Sequence, residues 1–187
     1  MQRIYIKKKN CRPVVAATIL LLCLCSFPAL AVESTSSFYK QLHEFHGHTC
    51  GGSLMGARLG LAARGALDAE GGSRKYQAEY FDHSCPVDGI QMAAGTTYGN
   101  RRITVVDQDE HRLILTDTKT GRMAEAKLTP LALEKASRTR ELSKQARKLR
   151  SGSKERVALE TEIESIFDWL RSAEEHEVVS VHLRDAS

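Results

Sequence analysis

The chain has 187 residues, with 27 Lys and Arg against 23 Asp and Glu, a formal charge of +4, and five cysteines. Five of the basic residues and three of the cysteines fall in the first 31 positions, so the remainder carries 22 basic and 23 acidic residues and only Cys50 and Cys85. That near-neutral balance excludes an electrostatic case for nucleic acid or an anionic membrane as partner, and about 156 residues are enough for one core, hence a single domain.

The first segment, MQRIYIKKKNCR, carries Arg3, Lys7, Lys8, Lys9 and Arg12 and no acid; an apolar run from Val14 to Phe27 and the small-x-small sequence Ala29-Leu30-Ala31 follow. Residues 1–31 therefore read as a secretory signal peptide, with the mature chain periplasmic or secreted and free of the membrane after cleavage. The apolar run is shorter than the roughly 20 residues a bilayer requires. A lipid-anchored start at Cys25 would place bulky Cys23 and Leu24 where small residues belong. Val32 to Ser37 is expected to be a short disordered leader, and Phe38 to Phe45 a helical turn or two.

FHGHTCGG, Phe45 to Gly52, sets His46, His48 and Cys50 at alternate positions. Beyond it Leu54, Met55, Leu59, Ala62, Ala63, Ala66 and Leu67 recur near helical spacing until Gly71-Gly72. Gly52, Gly56 and Gly60 share one face of that helix; each costs roughly 1 kcal/mol relative to Ala, so the face is expected to meet another backbone closely. YQAEYFDHS, Tyr76 to Ser84, reads as a strand, and PVDGIQMAAG as a short helix with Pro86 at its first position and Gly95 as its stop.

Both remaining cysteines thus sit at helix N-termini, where the dipole favours the thiolate that binds metal or attacks. Each has a histidine two residues before it, His48 and His83, and in extended backbone His46, His48 and Cys50 would converge on one point. Imidazole mixed with thiolate suits borderline-soft divalent metals, zinc above all. An oxidising compartment equally allows a Cys50–Cys85 disulfide, and any single histidine is more ordinarily a hydrogen-bonded residue than a ligand. Clustering favours the site: His43, His46, His48 and His83, four of seven histidines, lie within seven residues of a cysteine. No zinc-finger spacing and no C-x-x-C-H haem motif occurs.

FHGHTCGGSLMGARLGLAA followed by SCPVDGIQMAAGTTYGN resembles the FmdE-like domain family of formylmethanofuran dehydrogenases, with its hallmarks FHGHxCPG and C-x-x-D-A-I-Q-x-x-T-G-C-T-x-G-K. The resemblance implies an α+β core over residues 38–184 with a metal-binding, active-site-like cleft, and matches His46, His48, Cys50, Cys85, Asp88 and Gln91. The motif proline is Gly51 here, a motif cysteine is Thr96 and a lysine is Asn100; with no cysteine after Cys85, the C-terminal zinc ribbon of longer members is absent from the sequence. Formylmethanofuran chemistry is cytoplasmic and methanogenic, so with an export signal the family implies the fold and the cleft rather than the reaction.

RITVVD, RLILTD and MAEAKL are expected to form a three-strand meander, and Thr129-Pro130 to start a helix. Lys135 to Arg156 holds nine basic residues; this reads either as an anion-binding face or as one half of a helical hairpin paired with Glu160, Glu162, Glu164 and Asp168. Leu159, Ile163, Ile166, Phe167 and Leu170 form a core stripe, and EVVSVHL a closing strand whose His182 faces core or cleft. The expectation is an α+β single domain, an antiparallel or mixed sheet with packed helices, holding a divalent metal, zinc or similar, through His46 or His48, Cys50 and Cys85. Its role is binding or accessory; a metal-dependent enzyme with Asp88 as base, or a thiol redox protein cycling a Cys50–Cys85 disulfide, are the alternatives. Asp88 also has the plainer role of capping its helix. No nucleophile–base–orienter triad is visible in the sequence. A small-molecule ligand, a metalloenzyme partner and a homo-oligomer all remain open.

Overall fold

The computed structural model describes residues 29–185, with side chains from residue 36 onward. Residues 1–28, most of the segment read as a signal peptide, lie outside the described residues. Helix α1 runs Ala29–His46, so the polar stretch expected as a disordered leader is helical; Tyr39 and Leu42, both buried, pin its second half to the core. Among the described residues no helix is long and apolar enough to cross a membrane.

Five strands, β1 (Tyr76–Tyr80), β2 (Ile103–Val105), β3 (Arg112–Asp117), β4 (Met123–Leu128) and β5 (Val179–Arg184), form one mixed sheet in the order β2-β1-β3-β4-β5. The expected meander is corrected at its first strand: β3 and β4 pair antiparallel, but β2 lies parallel to β1, which separates it from β3. The cause is the connection. β2 follows helix α3 (Pro86–Ala94), and a helical crossover returns the chain in the direction of the strand it left. β1 ends at Tyr80, short of the Ser84 expected.

On the buried face of the sheet large and small side chains alternate across the ladder, Leu115 opposite Ala78 and Ala124, and Leu113 opposite Ala126. Helix α2 (Gly51–Ala69) lies on this face, with Ala57, Leu59, Ala63 and Leu67 essentially inaccessible. Each buried leucine contributes about 1.5–3 kcal/mol. Arg58 of α2 donates to the carbonyl oxygens of Leu170 (3.0 Å) and Ala173 (2.6 Å), placing a cation at the C-terminal end of helix α5 (Lys154–Ser172).

The glycine face of α2 packs on α3, as its composition implied. A Cβ at Gly56 would lie 1.9 Å from the Pro86 carbonyl oxygen, one at Gly60 2.7 Å from Ala93 Cβ, and one at Gly52 2.7 Å from Cys85 Cβ. The two helices therefore touch backbone to backbone, which brings the N-terminus of α3 beside that of α2. Helix α4 (Pro130–Ala146), capped by Thr129, and α5, capped by Ser153, form the expected hairpin, joined by the Arg138–Glu162 ion pair at 2.9 Å. A short helix α6 (Glu175–Val178) leads into β5, where His182 is exposed and pairs across the ladder with Glu125, facing neither core nor cleft.

Candidate functional site

Three ligand-type atoms converge where α1 gives way to α2: those of His46, His48 and Cys50 all lie within 4.8 Å of one another. The route differs from the extended run expected. His46 is the last residue of α1, Gly47 takes the left-handed conformation (φ +84°) and reverses the chain, and Cys50 is extended as the N-cap of α2. The imidazoles of His46 and His48 then stand with centroids 4.7 Å apart. His43 instead bonds Thr49 Oγ1 (3.0 Å), which steadies the same loop, and His83 is exposed and outside the group.

Each member is oriented from behind. His46 Nδ1 donates to Asp88 Oδ2 at 2.6 Å, leaving Nε2 3.5 Å from Cys50 Sγ. Asp88 is held in turn: Gln91 Nε2 donates to its Oδ1 (3.2 Å), and the backbone N–H of Tyr98 donates to Gln91 Oε1 (2.7 Å), which fixes the amide's orientation. Asp88 thus bonds His46 and Gln91, and a Cys50–His46–Asp88 line exists that spacing along the chain does not reveal. Cys50 also accepts from the Ser53 backbone N–H (3.3 Å), while Ser53 Oγ returns to the Cys50 backbone.

Electrostatics follow the geometry. Burial opposes ionisation of Cys50, but hydrogen bonds from Ser53 and Cys85 and the neighbouring His46 outweigh it and lower the thiol's pKa. Burial likewise opposes charge on His46, yet the Asp88 hydrogen bond and the Cys50 sulfur raise its pKa. Cys85, at the N-cap of α3, is raised by burial and by the charge on Cys50. The two thiols are both free and stand on either side of Gly52, where a Cβ would lie 3.7 Å from Cys50 Sγ and 2.7 Å from Cys85 Cβ, yet the converging group is His46, His48 and Cys50 alone. Cys85 therefore stands beside the three-residue group without being one of its members.

The donor set fits a zinc-like ion. Zinc takes thiolate sulfur at about 2.3 Å and imidazole nitrogen at about 2.0 Å, so two such ligands on one tetrahedral ion lie about 3.5 Å apart, the separation of Cys50 Sγ and His46 Nε2. A carboxylate on the far nitrogen of a ligating histidine fixes its tautomer and raises its basicity, the place Asp88 occupies.

The group opens into a cleft of 630 Å³ between the α2 N-terminus and the α4–α5 hairpin, with His48, Cys50 and Cys85 on one wall and Arg140, Arg147 and Arg156 on another. His111, at the start of β3's approach, also lines it; its Nδ1 contacts Tyr80 Oη (2.8 Å) and Asp82 (3.2 Å), and Ser84 donates to the same Asp82 carboxylate. Sequence reading missed this second polar cluster. Its members lie some thirty residues apart, and only the pairing of β1 with β3 brings them together.

The family model described as FmdE, Molybdenum formylmethanofuran dehydrogenase operon, matches residues 45–180. No curated protein matches the chain. Among solved structures, the crystal structure of a tungsten formylmethanofuran dehydrogenase FmdE-like protein from Syntrophus aciditrophicus is similar with a TM-score of 0.55 and 21% sequence identity, over 82% of this chain and 73% of that one. At that identity the likeness establishes the α+β fold.

Proposed function

This chain belongs to the FmdE family, and we propose that it is an exported metal-binding protein that holds zinc or a similar divalent ion in a binding or accessory role. The observation that carries the reading is the convergence of His46, His48 and Cys50 with Asp88 behind His46. Cys85, which meets Cys50 across Gly52, is the adjacent fourth ligand. Export rests on the basic, apolar and Ala-x-Ala order of residues 1–31. Bound there, the ion supplies a Lewis-acid centre; Cys50 contributes a thiolate, and Asp88 holds the His46 proton on Nδ1.

Zinc titration of reduced, metal-free protein tests this. The wild type should take up one equivalent, Cys50→Ser and His46→Ala should lose stoichiometric uptake, and Asp88→Asn should weaken it about 10–100-fold. Full uptake by all three variants would place any metal elsewhere. One observation favours a second reading, a thiol redox pair: Cys50 and Cys85 are both free and stand on either side of Gly52, where a Cβ would lie 3.7 Å from Cys50 Sγ and 2.7 Å from Cys85 Cβ.

A further inference from the structure

The α4 wall of the cleft has a graded composition. Leu133, Ala136, Arg140, Ser143 and Arg147 recur at intervals of three and four, so one face of the helix turns from apolar to cationic along its length and lines the cavity throughout. The middle of α4 abuts the thiol site: a Cβ at Gly51, next to Cys50, would lie 3.0 Å from Thr139 Oγ1 and 3.9 Å from Ala136 Cα. At 1.5 Å per residue, Arg140 follows Ala136 by about 6 Å and Arg147 by about 16 Å.

The hairpin's cross-helix ion pair does not use these arginines. Arg138 takes Glu162 on the opposite face, and Arg156, on α5, takes Glu160 at 2.8 Å. Glu160 is the one acidic residue that lines the cleft among the described residues, and it is already paired. Arg140 and Arg147 have no ion-pair partner among the described residues; Arg147 spends only its Nε–H, on the Ser143 carbonyl oxygen (3.2 Å). Both are exposed, and their guanidiniums border an open cavity of ligand size beside hydroxyl and thiol groups with no carboxylate paired to them.

We propose that the cleft binds a small oxyanion-bearing molecule, a carboxylate or a phosphate, with its anionic end on Arg140 and Arg147 and its other end at Cys50. This rests on the cleft being the functional site and adds the class of its ligand. The two basic-segment readings then both hold, on different faces of α4: Arg138 closes the hairpin and Arg140 and Arg147 serve the cleft.

The test uses metal-free, reduced protein, so it is independent of metal uptake. The alkylation rate of Cys50 is followed by peptide mass spectrometry with anionic iodoacetate and with neutral iodoacetamide. Taking the ratio of the two rates cancels the thiolate fraction and leaves the attraction of the cleft for negative charge. In Arg140→Gln/Arg147→Gln the ratio should fall about 5-fold at low salt, with a wild-type circular dichroism spectrum and melting curve as the check on folding. Pyrophosphate and glutarate, added separately, should differ in slowing iodoacetamide in the wild type, and the effective one identifies phosphate or carboxylate as the source. An unchanged ratio in the double variant, or no protection by either anion, would overturn the proposal. Failure of zinc uptake alone would instead refute the metal reading and leave this one standing.

Discussion

Replacing Gly56 by alanine would set a methyl carbon 1.9 Å from the Pro86 carbonyl oxygen and 2.6 Å from its Cα and carbonyl carbon. All three are backbone atoms and none can swing aside. Helices α2 and α3 would have to part by about 1.5 Å to restore van der Waals contact. Overpacking of this kind costs about 3 kcal/mol at the upper end of its range, and the better helix propensity of alanine offsets about 1 kcal/mol. The net loss of about 2 kcal/mol should lower Tm by roughly 4–8 °C in a domain of this size. Gly65→Ala is the internal control, the same change in the same helix at an exposed position with nothing within 4 Å; it should stabilise by about 0.5–1 kcal/mol. Thermal and urea unfolding of both variants, followed by circular dichroism, reads the two signs. If Gly56→Ala were as stable as Gly65→Ala, the backbone contact between α2 and α3 would be wrong, and with it the approach of Cys85 to Cys50.

Thr96 Oγ1 is buried with no hydrogen-bond partner among the described residues, so Thr96→Val should stabilise by about 1 kcal/mol in denaturant unfolding; a loss of more than that would show that the hydroxyl is satisfied. Asp117 accepts hydrogen bonds from the N–H groups of Ser73 (2.5 Å), Lys119 (2.8 Å) and Thr120 (3.2 Å) and from Ser73 Oγ (2.7 Å); these outweigh burial and hold its carboxyl well below the usual range. A carboxyl depressed on folding stabilises above its unfolded pKa of about 4 and loses that contribution as pH falls below it. Asp117→Ala should therefore cost about 3 kcal/mol near neutrality and flatten the fall of stability between pH 4 and pH 2, as measured by unfolding at each pH.

Features set by neighbouring residues were legible in the sequence. Three glycines on one face of a helix make sense only against another backbone, and Gly95, left-handed at φ +68°, ends α3 where the pattern placed its stop. Thr129-Pro130 caps and opens α4 for the same local reasons. Strand order was not legible. RITVVD alternates as well for pairing with β3 as with β1, and the choice is made by the α3 crossover, a long-range matter. At the site, the motifs marked His46, His48, Cys50, Cys85 and Asp88, but residue types alone left Asp88 between helix cap and base. Its role behind His46 depends on α1 and α3 meeting across 42 residues. The Asp82–His111 pair and the cleft-facing arginines were hidden for the same reason.

Metal ligation and a disulfide make opposite demands on the two thiols, and counting them decides between the two. Freshly isolated protein is alkylated with and without chelator and with and without reductant, and Cys50 and Cys85 are read by peptide mass spectrometry. Ligation predicts that Cys50 and Cys85 are shielded at first, become reactive on chelation without any reductant, and are shielded again when zinc is restored, with protons released and binding weakened below about pH 6. No reactive thiol under any chelator treatment, and two after reduction alone, would contradict the metal site and leave the Cys50–Cys85 redox pair in its place.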